Sequence, residues 1–148
     1  MVAGPPIQPP ASPSAINETL KPYYDIFTGA TSTVPPIHGI GSFVDIRDVT
    51  AMHVWCVEHP NECANQRFLV VNGRVTPQAA ADVLRKAYPE RDCIPVGNPG
   101  ADYEEGYGWP KGGMSFCGDK VRKVLGREYI GFEQSVLDTA KVFEQMTC

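Results

Sequence analysis

Apolar positions along this chain recur with two periods, one helical and one extended. Ile16, Leu20, Tyr23 and Phe27 fall at helical spacing, with Ser14 placed to cap the start and Gly29 to close the end. Pro22 interrupts the run, so the helix either kinks there or begins there with proline in its first turn. Residues 30–42 are rich in Thr, Ser, Pro and Gly and read as loop. Phe43, Val44 and Ile46 predict a short buried strand over 43–46. It runs straight into a helix over 48–58, with Val49, Met52 and Cys56 on one face and His59-Pro60 closing it. Asp48 stands where the N-cap of that helix belongs. Trp55 is expected in the core.

Further on, a strand over 67–71 ends at Asn72-Gly73, and Thr76-Pro77 opens a helix with Ala80, Val83, Leu84 and Ala87 on one face. Ile94 to Val96 has the composition of a short strand. Residues 97–118 hold seven glycines and two prolines and predict a long loop able to cover a site. A short helix over 119–125 stops at Gly126, and a last helix over 133–146 turns Val136, Ala140 and Phe143 inward. Strands alternating with helices predict an α/β fold. There is no internal repeat.

Length and composition narrow the partners more than the chemistry. One domain over 1–148 is the expectation at 148 residues, preceded by a proline-rich segment over 1–13 that would be extended or disordered if free. A net charge of −4 argues against nucleic acid or an anionic membrane as partner. No apolar run approaches the roughly 20 residues that span a bilayer. Without a basic and apolar leader, the Asn17-Glu18-Thr19 sequon carries little weight, and a cytoplasmic location is expected. Five cysteines at scattered spacing, with no C-x-x-C, predict reduced thiols. The three histidines, His38, His53 and His59, do not share helical spacing, so no metal site is predicted.

The densest charge lies at the strand-to-helix junction. Asp45, Arg47 and Asp48 are candidates for proton transfer with His53 if they face a cavity, and for a local structural network if they do not. His53 is more simply a partly exposed helix side chain. Tyr107-Gly108-Trp109-Pro110-Lys111 has the Tyr-x-x-x-Lys spacing of a phenol activated by lysine, but Gly108 and Pro110 oppose the helix that would bring the two side chains to one face. Gly39-Ile40-Gly41 precedes a strand rather than a helix, so it is a loop pair and not a phosphate-binding turn.

Phe43-Val44-Asp45-Ile46-Arg47-Asp48-Val49 resembles the Phe/Tyr-Val-Asp-Val-Arg-Asp-Val-Ala segment of extended short-chain dehydrogenases/reductases, the NAD-dependent epimerase/dehydratase family. Other pieces resemble that family in the same linear order: Gly4-Pro5-Pro6, Gln66 to Val70, Tyr88-Pro89-Glu90, Ile94 to Gly100, Asp119 to Gly126 and Phe132 to Ala140. The likeness is strongest to fungal aldehyde and ketone reductases, related to dihydroflavonol and cinnamoyl-CoA reductases. It covers essentially the whole chain but only the family's C-terminal half.

The resemblance implies a partial Rossmann-type fold: a C-terminal, substrate-binding lobe with helices and a few short strands. It implies descent from an NADP-dependent aldehyde or ketone reductase. It also implies that the dinucleotide turn and the catalytic Ser, Tyr and Lys belong to a region before Gly4-Pro5, so that this chain alone binds no NADP and reduces nothing. Met1-Val2 looks like the end of an interior strand, as if an internal methionine had been taken as the start. By position, Met1, Val2, Pro5 and Ile7 would line the pocket, and Tyr23, Tyr24 and Phe27 would supply an apolar wall or simply pack the core. The expected ligand is a small carbonyl compound or a molecule resembling a secondary metabolite. Two other functions stay open: a cofactor-free binding protein, cyclase, isomerase or dehydratase, and a non-catalytic interaction module that associates with itself through exposed apolar surface.

Overall fold

The computed structural model describes residues 1–37 and 41–146. His38, Cys148 and most of the Gly39-Ile40-Gly41 loop pair lie outside the described residues. Two strands, β1 (Val2–Ala3) and β2 (Val44–Asp45), pair in parallel, Val2 opposite Val44 and Ala3 opposite Asp45. Six α-helices accompany them among the described residues: α1 (Lys21–Thr28), α2 (Ile46–Glu58), α3 (Pro60–Cys63), α4 (Pro77–Ala87), α5 (Asp119–Leu125) and α6 (Phe132–Met146). Single 3₁₀ turns occupy Pro13–Ala15 and Glu105–Tyr107. No helix among the described residues is long and apolar enough to cross a membrane.

The sheet separates two apolar clusters because successive side chains of a strand point to opposite faces. Phe43 joins a large cluster with α1, α4 and α6, whereas Val44 joins a smaller one with Met52, Val121 and Tyr129. The large cluster is built on aromatic edges: Phe27 meets Tyr88 with ring centroids 5.2 Å apart, and Phe43 meets Phe132 at 5.1 Å. Tyr24 stands edge-on to Phe143 at 5.2 Å. Trp55, expected in the core, is half-buried; it packs edge-on against Phe68 and stacks on His59 at 4.6 Å.

Several elements differ from their sequence expectation, each for a local reason. The first helix begins at Lys21 with Pro22 in its first turn, and the preceding Asn17 caps the amide of Leu20 at 2.9 Å. Ser14 lies in the 3₁₀ turn rather than capping that helix. Gly29 closes α1 with φ of 72°, a left-handed conformation that favours glycine. At the charged junction the helix begins two residues earlier than expected. Asp45, not Asp48, is its N-cap: Asp45 Oδ1 accepts from the Arg47 amide at 2.8 Å, which ends the strand at Asp45.

Residues 67–71 form no ladder strand. The chain pairs with Phe43 only after residue 71, through Asn72 N to Phe43 O at 2.7 Å and Phe43 N to Gly73 O at 3.0 Å. Residues 94–96 form no strand either, because side chains of α4 take their carbonyls. Arg85 Nη1 donates to Ile94 O at 3.0 Å, and Gln78 Nε2 donates to Val96 O at 3.0 Å.

Candidate functional site

An apolar cavity of about 220 Å³ opens beside the starts of β1 and β2. Its walls come from Met1, from Pro22, Tyr23 and Ile26 of α1, from Pro35, Pro36 and Ile37 of the following loop, from Gly41 and Ser42, and from Val75, Thr76 and Pro77 at the mouth of α4. Three chain segments converge here because each is held by its backbone. The Met1 amino group donates to Ser42 O at 2.5 Å, Val44 N donates to Met1 O at 3.1 Å, and Val75 N donates to Gly41 O at 2.9 Å.

Few polar groups reach this space. The Thr76 hydroxyl is engaged as the N-cap of α4, accepting from Ala79 N at 3.2 Å. The Tyr23 hydroxyl donates to Met1 Sδ at 3.2 Å, a weak acceptor that a ligand oxygen would readily replace. Burial pushes the Tyr23 phenol above its ordinary range, so it is a neutral hydrogen-bond donor and not a base. The nearby cation on α1, Lys21, is spent on Asp25 at 2.5 Å. This arrangement can hold and orient a small apolar molecule carrying one acceptor.

The residues singled out in the sequence distribute unevenly around the cavity. Met1 and Tyr23 line it. Tyr24 and Phe27 point into the large cluster, against Phe143. Val2 is half exposed at the sheet edge, Pro5 is half-buried, and Ile7 is fully exposed. The loop prolines and Ile37 are walls that sequence patterning did not mark; the Pro35-Pro36 pair is the one signal that this stretch holds a rigid extended backbone.

Asp45, Arg47 and Asp48 do not face the cavity. Asp45 is fully buried and accepts from Arg47 Nε at 2.8 Å and Arg47 Nη2 at 2.9 Å, while Arg47 Nη1 reaches Asp138 at 2.8 Å. Burial alone would raise the Asp45 carboxyl, but its hydrogen bonds, chiefly from Arg47, outweigh that and hold it below the usual range. Asp48, also fully buried, accepts from Arg127 Nη1 at 2.6 Å and from Ile130 N at 2.9 Å. His53 is exposed, with Nδ1 2.8 Å from Val49 O.

The Tyr107–Lys111 spacing likewise forms no pair. The helix is absent there, and the Tyr107 hydroxyl donates to Glu133 Oε1 at 2.9 Å. Burial and that carboxylate raise the Tyr107 phenol, the opposite of what a lysine neighbour does.

No family model matches the chain. Among curated relatives it is 34% identical over 116 residues to an uncharacterized oxidoreductase of Saccharomyces cerevisiae, covering 78% of this chain and 32% of that one. It is 31% identical over 101 residues to the NADPH-dependent methylglyoxal reductase of the same yeast, covering 68% of this chain and 28% of that one. The crystal structure of Gre2 from Candida albicans in complex with NADPH matches all of this chain and 42% of its own length, with a TM-score of 0.79 and 28% identity. The chain corresponds to the C-terminal part of an extended short-chain reductase.

The chain spans about a third of the length of the curated relatives it matches. Among the described residues, the junction of β2 with α2 does not fit the dinucleotide that such reductases use. A pyrophosphate needs an uncharged, glycine-lined helix N-terminus following a strand. The strand-to-helix junction present, β2 into α2, is closed by the Asp45 carboxylate and carries Asp48 in its first turn. Two carboxylates there disfavour a phosphate, and Asp45 already accepts from the Arg47 amide at the helix start.

Proposed function

We propose that this chain is the carbonyl-binding lobe of an NADPH-dependent aldehyde or ketone reductase and does not itself bind the dinucleotide. The observation that carries the reading is the apolar cavity lined by the neutral Tyr23 phenol, within a chain whose whole length matches an NADPH-bound reductase fold. A cavity of this size suits a small aldehyde or ketone with one apolar substituent. Such a ligand would bury its carbon skeleton against Ile26, Ile37 and Val75 and accept a hydrogen bond from Tyr23. The junction carboxylates serve the scaffold: both are buried and hydrogen-bonded to arginine and backbone amide, away from the cavity.

Calorimetry on the full chain tests both halves. We expect no heat of NADPH binding, and measurable binding of small aromatic aldehydes such as cinnamaldehyde. Substituting Ile26→Trp fills the cavity and should abolish the aldehyde signal while far-UV circular dichroism stays unchanged. Micromolar NADPH affinity would overturn the reading of the dinucleotide, and aldehyde binding that survives Ile26→Trp would overturn the reading of the cavity.

A further inference from the structure

Two residues on one face of α4 clip the loop that follows Ile94. Gln78 and Asp82 stand one helical turn apart, and Gln78 Nε2 donates to Asp82 Oδ1 at 2.8 Å. The same Nε2 donates to Val96 O at 3.0 Å, while Gln78 Oε1 accepts from Asn98 N at 2.9 Å. Asp82 Oδ2 accepts from Gly100 N and from the Tyr103 hydroxyl, each at 2.8 Å. Gln78 is buried, and both ends of its amide are used, so the turn over 96–98 is held against α4 from either side of Gly97.

That turn backs one wall of the cavity. A carbon added at Gly97 would clash with Gln78 Oε1 and stand 2.7 Å from Val34 Cγ2, so the turn is wedged between those two side chains. Val34 packs against the large cluster, whereas Pro35, Pro36 and Ile37, which follow it directly, line the cavity. Proline fixes φ at two successive positions and restricts the residue before it, so Val34 and the start of the wall move together. Pro77, the neighbour of Gln78 in the chain, is a wall residue too.

We propose that Val34, backed by the turn that Gln78 clamps, sets the width of the cavity and hence the size of the apolar group it accepts. Val34 is a positioning residue that selects ligands from behind the wall. The inference rests on the cavity being the ligand site. A close-packed interior passes on a change of one methyl group, and with the turn fixed the wall is what gives.

Toluene and tert-butylbenzene titrated into the full chain test this, followed by the methyl NMR signals of Ile26, Ile37 and Val75. Neither hydrocarbon carries a carbonyl, so the result is independent of aldehyde recognition. Val34→Ala should let the wall fall back and shift the ratio of dissociation constants toward tert-butylbenzene by about threefold or more, and Val34→Ile should shift it as far toward toluene. Gln78→Met keeps the volume and gives up the clamp, so in that background Val34→Ile should leave the ratio unchanged. A general loss of stability would weaken both ligands together and not move the ratio. An unchanged ratio in both Val34 variants, or shifts of the same sign, would overturn the inference, and these two variants decide it even where Gln78→Met does not fold. Ratios that shift as expected while aldehydes fail to bind would overturn the carbonyl reading alone. Binding of neither hydrocarbon to the parent chain would overturn both.

Discussion

Arg127 donates to the buried carboxylate of Asp48 at 2.6 Å across 79 residues of chain, and so ties the start of α2 to the segment that leads into α6. Asp48 Oδ2 completes the tie by accepting from Ile130 N. Replacing Asp48 with Ala leaves the Ile130 amide without its partner and strips Arg127 of its counter-charge. Urea unfolding should show a loss of about 2–3 kcal/mol. Arg127→Ala should cost less, about 1 kcal/mol, since that side chain is partly open to water. Equal losses would mean that the charge pair, and not the amide bond, carries the tie.

Acid should loosen the same end of the molecule. Burial would raise the Asp138 carboxyl, but hydrogen bonds from Gln134, Arg47 and Lys141 win and hold it at about 2, below the ordinary 3.8. Asp45 is lowered as well. Above about pH 4 both groups are ionised in the folded and the unfolded chain, so their contribution is complete. As pH falls from about 4 toward 2 the unfolded chain takes up protons first and the contribution drains away, roughly 1–2 kcal/mol for Asp138. Asp138→Asn should therefore lower the urea midpoint at pH 7 and flatten its decline on acidification.

Gly4 follows β1 with φ of 124°, and a Cβ there would stand 2.9 Å from both Asp45 Oδ2 and Ile46 Cγ2. Gly4→Ala forces the strained backbone and presses on the capping carboxylate at once. A loss of about 2 kcal/mol or more is expected in denaturant titration. Gly100→Ala is the control: its φ is 78°, yet nothing lies within 4 Å of the added carbon, so only the backbone term remains.

Phe27 is fully buried between Tyr88 and Phe143, with the Arg91 guanidinium 4.1 Å from its ring centre. Phe27→Ala should cost about 3–5 kcal/mol by thermal or urea unfolding. Ile26, its neighbour, faces the cavity, so Ile26→Val should cost about 1 kcal/mol and change ligand binding as well. A Phe27→Ala variant that remained as stable as the parent would show that the large cluster is not the core.

Helical periodicity alone marked α4, α5 and α6, because each carries an apolar stripe bounded by a cap or a glycine: Thr76-Pro77 before α4 and Gly126 after α5. The charged junction was legible as a network and as a lineage signature. Its cap was not, since Asp45 and Asp48 are both good caps by type. What decided between them was Arg127 and Ile130, which reach Asp48 from far along the chain and leave Asp45 to bind the helix amide. The short runs at 67–71 and 94–96 had strand composition, but a strand exists only where a neighbour offers a ladder. Gln78 and Arg85 took the carbonyls of the second run first. By itself the sequence determined most of the helices, though not α3 or the start of α2, and the family likeness, all of which rest on local spacing or linear order. Tertiary structure decided that Met1, Tyr23, Ile37 and Val75 share one cavity. That meeting depends on how a loop folds back in space, and no periodicity records it.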